Sequence, residues 1–141
     1  EWSEERELDW FLLQEKEHRD LQSFVKDLLY IYRKYPAVHA TDNDPQGFEW
    51  INADDAYRSI FSFVRKSPTK RNNLLFICNF TPVARPDYRV GVPRLKQYTQ
   101  LMDENGRTEK KVFRAVKQEC DNRPYSFAYP LPAYGIAIFQ Y

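Results

Sequence analysis

The groups able to do chemistry begin with the carboxylates crowded into the opening stretch, EWSEERELDW, where Glu4, Glu5 and Glu7 lie near Asp9. Cleavage of a glycosidic bond uses two carboxyl groups held at a fixed separation, roughly 5 to 9.5 Å, on rigid elements. A run of acids on one loop sets no such distance, so the cluster reads as a solvated acidic loop. DNDPQG at residues 42–47 begins like a calcium loop, but its fifth position is Gln46 and its twelfth, which needs a bidentate Glu, is Ala53. It reads as a polar turn. The NFT sequon at residues 79–81 closes an apolar run, LLFIC, that has the character of a buried strand, a poor setting for glycosylation. His18 and His39 have no second His or Cys at ligand spacing, so no metal is expected. Only four glycines occur, and none builds a nucleophile elbow, a phosphate loop or a dinucleotide fingerprint, so no cofactor is implied.

Composition narrows the partners. The formal net charge is +1, from 21 basic and 20 acidic residues spread along the chain, which gives no field to attract nucleic acid or anionic lipid. No apolar run approaches the roughly 18 residues that span a bilayer, and the acidic start is unlike a signal sequence. Cys78 sits in a strand-like run and Cys120 in a charged one, a pair too sparse for a disulfide framework, so a reducing cytoplasm is expected. Aromatic content of 16% suits a β-rich core.

The elements that would position any site fall into two kinds. In residues 18–35, Leu21, Phe24, Val25, Leu28, Leu29 and Tyr32 follow the spacing of one helical face. Pro36 ends that helix, and Arg33 and Lys34 suit its negative end. From Phe48 the pattern changes to eight short runs: FEWIN, SIFSFVR, LLFICNF, YRVGV, YTQLMD, VFRAVKQ, YSFAY and YGIAIFQY. Their spacing, cut by Pro and Gly, predicts an antiparallel β-sandwich or barrel after a helical lead, with the division near residue 46. In SIFSFVR, Ile60 and Phe63 differ in parity, which leaves the core face of that strand unassigned. The apolar helix face is expected to pack on the sandwich or on a neighbouring chain.

Taken together, EWSEERELDW, residues 24–51 (FVKDLLYIYRKYPAVHATDNDPQGFEWI), residues 79–93 (NFTPVARPDYRVGVP) and residues 124–139 (PYSFAYPLPAYGIAIF) resemble the glucan branching enzymes of the α-amylase superfamily. The resemblance covers nearly the whole chain. It implies a mainly β fold: a C-terminal antiparallel β-sandwich of about eight strands over residues 47–141, preceded in residues 1–46 by the last loop and helix of a truncated (β/α)8 barrel. It further implies a parent transglycosylase that cleaves α-1,4-glucan and transfers the chain to a 6-hydroxyl, making the α-1,6 branches of glycogen. That chemistry uses an Asp nucleophile and a Glu acid/base on barrel strands upstream of Glu1, so no catalytic residue is expected here, and the chain alone is expected to be inactive. The implied partners are α-glucan and the missing barrel. Trp2, Asp9 and Trp10 in the N-terminal loop, and Trp50, Tyr88, Tyr98 and Tyr134 in the sandwich, are the candidate glucan contacts, since aromatic rings stack on sugars. Two alternatives stay open: a stand-alone carbohydrate-binding sandwich, or the C-terminal domain of another amylase-superfamily hydrolase. Two departures stand out: Lys96 occupies a position where the family usually has glycine, and residues 103–112 are shorter than its glycine-rich loop.

Overall fold

The structure is a computed structural model that describes residues 3–69 and 71–141. A short 3₁₀ turn, Trp10–Gln14, leads into helix α1, Lys16–Lys34. Tyr35 leaves the helical region (φ −111°, ψ 104°), as a residue before proline must, and the helix stops there. Two further 3₁₀ turns, Pro36–Val38 and Pro45–Gly47, carry the chain to the first strand. The second is held by Asp44, whose Oδ1 accepts from the Gln46 N–H at 2.8 Å, while Asp42 pairs with Arg65. The acidic turn thus spends two of its carboxylates on its own backbone and a neighbouring strand.

Nine strands follow among the described residues: β1 Phe48–Asp55, β2 Ile60–Arg65, β3 Leu74–Asn79, β4 Arg85–Val92, β5 Gln97–Asp103, β6 Gly106–Arg107, β7 Val112–Arg114, β8 Tyr125–Leu131 and β9 Ile136–Gln140. All pairings are antiparallel. The large sheet runs β1-β2-β3-β9-β5-β6, with β7 also on β5, and β4 and β8 form a second leaf. The sandwich is therefore very unequal. VFRAVKQ contributes only the short β7 and an isolated bridge from Val116 to Ser126. The short segment after Asp103 closes as a tight hairpin, with the Asn105 N–H donating to Asp103 Oδ1 at 2.9 Å and Gly106 at φ +107°. Lys96 is not among the residues with positive φ, so its turn does without the backbone freedom of a glycine.

The main core lies between the leaves. Ile60, Val64, Leu75, Ile77 and Phe139 from the large sheet meet Val90, Phe127, Tyr129 and Leu131 from the small one. Each fully buried side chain of this size is worth roughly 1.5–3 kcal/mol. A second cluster lies on the opposite face of the large sheet, where Ile31, Tyr35 and Ala37 pack on Leu74, Leu101, Met102 and Ile138. Helix α1 is therefore a third layer, resting on the sandwich as expected. This resolves the parity of β2. Ile60, Ser62 and Val64 point into the core while Phe61 and Phe63 point outward, so both faces are apolar because both are used.

Asn79, which ends β3, is buried and saturated. Its Nδ2 donates to Pro132 O at 2.7 Å and Val83 O at 3.0 Å, and its Oδ1 accepts from the Thr81 hydroxyl at 2.8 Å and N–H at 3.1 Å. That latch ties the turn after β3 to the turn before β9 and leaves the sequon nitrogen engaged. Beyond it the chain crosses to the other leaf, and Pro86 sits at the register shift between Arg85 and Tyr88, where no ladder donor is needed.

Candidate functional site

A helix is about 10 Å across and strands lie about 4.8 Å apart, so α1 can cover only about two strands of the outer face. It covers the β9 and β5 side. The remainder, over β1, β2 and the far end of β3, is aromatic and only partly covered: Trp50 is exposed, Phe61 and Phe63 are half-buried, and Phe76 packs against the helix cluster. One cross-strand row runs Trp50, Phe63, Phe76, Ile138, from the sheet edge to beneath the helix. Phe63 stacks on Phe76 at 4.8 Å between centroids and 7° between planes, and on Phe48 at 5.3 Å and 27°. Trp50 stands nearly perpendicular to both Phe48 and Phe63, and Phe61 bridges Trp50 to Phe80. On the helix, the face expected to pack is divided. Phe24 and Leu28 join the second cluster, while Leu21, Val25, Leu29 and Tyr32 remain exposed.

The candidate glucan contacts separate accordingly. Trp2 lies outside the described residues. Asp9 precedes the first 3₁₀ turn without capping it through its side chain, its carbonyl accepting from the Leu12 N–H at 3.0 Å. Trp10 opens that turn and is exposed. Trp50 is 49% exposed at the edge of the aromatic row, and Tyr134 is 68% exposed on a turn whose φ of 50° is shaped by its N–H bond to Thr81 O at 2.9 Å. Tyr88 and Tyr98 must be withdrawn as sugar contacts. They are 3% and 0% exposed, so neither offers a ring face to a ligand. Tyr98 stacks on Tyr141 at 4.9 Å and donates its hydroxyl to Arg94 O at 3.0 Å; Tyr88 lies in the core beneath the Arg58 guanidinium. Burial pushes both phenols above their ordinary range.

The titratable groups are occupied structurally. Burial pushes Glu49 upward, but Lys66 at 2.5 Å and Arg123 at 2.6 Å outweigh it and hold the carboxyl below its usual value, the wrong direction for a general acid. Burial pushes the Cys78 and Cys120 thiols up to about 11, so neither is an activated nucleophile. No group of three or more His, Cys, Asp and Glu that could hold a metal occurs among the described residues. His39 lies against the Tyr32 ring at 5.3 Å.

One feature escaped sequence reasoning altogether. Arg107 clamps α1 to the β5–β6 hairpin: its Nε and its backbone N–H donate to the two oxygens of Asp27 at 2.6 and 3.0 Å, and its guanidinium lies 4.2 Å from the Tyr30 ring centroid. The Arg107 N–H holds the Asp27 carboxyl below its ordinary range, against a smaller opposing effect of burial. Nothing local in the sequence links two residues this far apart. The aromatic row, by contrast, had a signal in the alternating Phe61 and Phe63.

Set beside known proteins, residues 50–141 match the model of a family described as alpha amylase, C-terminal all-beta domain. The chain is 45% identical over 148 residues to a 1,4-alpha-glucan branching enzyme GlgB of Butyrivibrio fibrisolvens, an alignment covering 100% of this chain and 23% of that protein. It is 47% identical over 103 residues to the GlgB branching enzyme of Aquifex aeolicus, covering 73% of this chain and 16% of the relative. With that of Bacillus caldolyticus it shares 35% over 147 residues, 99% of this chain and 22% of the relative. The chain thus spans less than a quarter of the length of these curated relatives.

Proposed function

The chain belongs to the alpha amylase C-terminal all-beta domain family, and from that premise we propose that it is the C-terminal part of a 1,4-α-glucan branching enzyme. The observation that carries this reading is the alignment at 45% identity over the whole chain, which runs through the residues ahead of position 50 that the family match does not include. In this reading residues 1–46 are the last loop and helix of a catalytic barrel, and residues 47–141 are the sandwich that supports it. The reaction is a double displacement. A carboxylate takes the glucosyl carbon as the α-1,4 bond breaks and an acid protonates the leaving chain; the 6-hydroxyl of an acceptor glucan, returning its proton to that deprotonated group, then displaces the carboxylate. Those carboxyl groups belong to the barrel. The ion-paired Glu49 and the clamped Asp27 support that assignment, because each carboxylate is already held by cations of the fold.

The contribution of this segment to glucan binding falls to its accessible aromatics. Trp10 and Asp9 border the glucan groove from the N-terminal loop, Trp2 of the same sequence stretch is a candidate contact that lies outside the described residues, and Tyr134 is the sandwich's sugar contact. The parent works in the cytoplasm on glycogen-like chains, a setting that the two unpaired thiols favour. None of the described helices is long and apolar enough to cross a membrane. Incubation of the full-length protein with amylose is the test: the iodine colour falls and α-1,6 linkages accumulate, while the 141-residue chain alone changes neither. Branch formation by the segment alone, or none by the full-length protein, would overturn the reading.

A further inference from the structure

We propose that the cleft between the last turns of α1 and the segment that follows β5 is a binding site for the phosphate group of a small phosphorylated molecule, held by Lys34, Arg107 and Lys110. The site lies apart from the glucan contacts above and does not depend on the branching reading.

Charge is balanced over the whole chain at a formal +1, but folding does not place it evenly. Two clefts of about 350 Å³ each share Tyr30 and Lys34 in their walls, one along α1 and one between α1 and the segment after β5. Five cations line them, Lys26, Arg33, Lys34, Arg107 and Lys110, against a single carboxylate, Asp27. The C-terminal end of the α1 dipole adds only about half a negative charge. Of the five cations, only Arg107 has an ion-pair partner among the described residues. A recess of one sign focuses its field on the space it encloses and concentrates the opposite ion there.

The donors are held in place and unspent. Asp27 takes the Arg107 side chain through Nε alone, which orients the guanidinium and leaves its outer nitrogens only a minor pull from the Tyr30 hydroxyl. Lys34 Nζ spends one of its three donors on that hydroxyl, at 2.9 Å. Lys34 Nζ lies 5.1 Å and Arg107 Cζ 4.2 Å from the Tyr30 ring centroid, so one ring fixes both cations close together without supplying a charge to neutralise them. Their field shows on the ring itself: the hydrogen bond from Lys34 holds the Tyr30 phenol below its ordinary value, against a smaller effect of burial. Thr108, in the same wall, carries a buried hydroxyl with no hydrogen-bond partner among the described residues. A phosphate monoester brings close to two negative charges near neutral pH and three acceptor oxygens. That suits a guanidinium fork, two ammonium groups and a hydroxyl better than the two oxygens and single charge of a carboxylate. Neutral glucan has no charge for the cleft to select.

Isothermal titration of the full-length protein with inorganic pyrophosphate, in about 50 mM salt and without divalent metal, tests the site. Saturable binding is expected, competed by glycerol 2-phosphate and not by maltoheptaose. Lys34→Gln and Lys110→Gln should each weaken it about fivefold and together about twentyfold, while Lys117→Gln, which does not line the cleft, leaves it unchanged. Both cleft lysines are exposed, so their replacement leaves the fold intact; Arg107 is kept because it also clamps the helix. Absence of binding, or binding that the double variant leaves undiminished, would overturn the proposal. So would binding to single-stranded RNA or to phosphatidylserine vesicles that is tighter than to pyrophosphate and lost in the same variants, which would make the patch a polyanion surface. Branch formation on amylose is measured on the same preparations and should not change in the lysine variants. Its absence from every preparation, with pyrophosphate binding intact, would reject the functional reading and leave the phosphate site standing.

Discussion

Replacing Ile31 by Ala removes the best-buried side chain of α1, 4% exposed and seated on Leu74, Leu101, Met102 and Ile138. Large-to-small changes at such sites cost about 2–5 kcal/mol, the lower end where the surroundings can collapse. The helix rests on one side of a sheet and can settle inward, so about 2–3 kcal/mol is expected here. For a chain of this length each kcal/mol lowers Tm by roughly 3–4 °C, a total of about 6–12 °C. The informative part is which signal moves. A 19-residue helix on its own is marginal in water, so α1 persists through its contact with the sheet. If helix and sandwich form one cooperative unit, ellipticity at 222 nm and the near-ultraviolet signal of the aromatic core shift together. Loss of helix in a separate early transition, with the core signal unmoved, would refute the reasoning, as would a change below about 1 kcal/mol.

The Asp27–Arg107 clamp gives a pH signature. Because the folded carboxyl is held below its ordinary value, its contribution is complete above the unfolded pKa of about 3.9 and is lost as pH falls through the lower folded value. Asp27→Asn should therefore cost about 0.5–1 kcal/mol at pH 7, modest because both side chains are partly solvated, and the difference from the parent chain should shrink progressively as pH falls below about 3.9. A gap in Tm that stays constant from pH 7 down through the acid unfolding range would argue against it. Gly91→Ala should be severe for its size. A Cβ there would lie 2.1 Å from Cys120 O, in a strand whose N–H is fixed on Asp121 Oδ2 at 2.8 Å, so overpacking of about 1–3 kcal/mol is expected. An unchanged thermal midpoint would show that the Cys120 turn yields freely.

Helix α1 was legible because its signal is local: a 3.6-residue period and a proline stop sit within twenty residues. The strands were legible for the same reason, apart from the two-residue β6, which has no periodicity to detect. Aromatic residues were harder to place, because ring content says nothing about which face a ring occupies. Tyr88 and Tyr98 look as capable of stacking on a sugar as Tyr134 does. They differ only in strand register, which points the first two into the core, whereas Tyr134 stands on a left-handed turn. Register is set by partners far away in sequence, and so is the Arg107 clamp. Asn79 mixes the two: its bonds with Thr81 and Val83 are local, but the one to Pro132 O, 53 residues away, is set by the fold.

The parity puzzle in β2 carries the architectural point furthest. A strand with one buried face alternates apolar and polar; one buried on both faces does not. Ile60 and Val64 inward with Phe61 and Phe63 outward is the pattern of a central layer, and a sheet apolar on both faces needs a cover on each. The small leaf of β4 and β8 covers the inner face. On the outer face α1 covers about two strands, and beside it Phe61, Phe63 and Phe76 cover one another as half-buried rings with Trp50 exposed at the edge. The residues ahead of β1 form the third layer of this fold, covering the β5 and β9 side of the outer face.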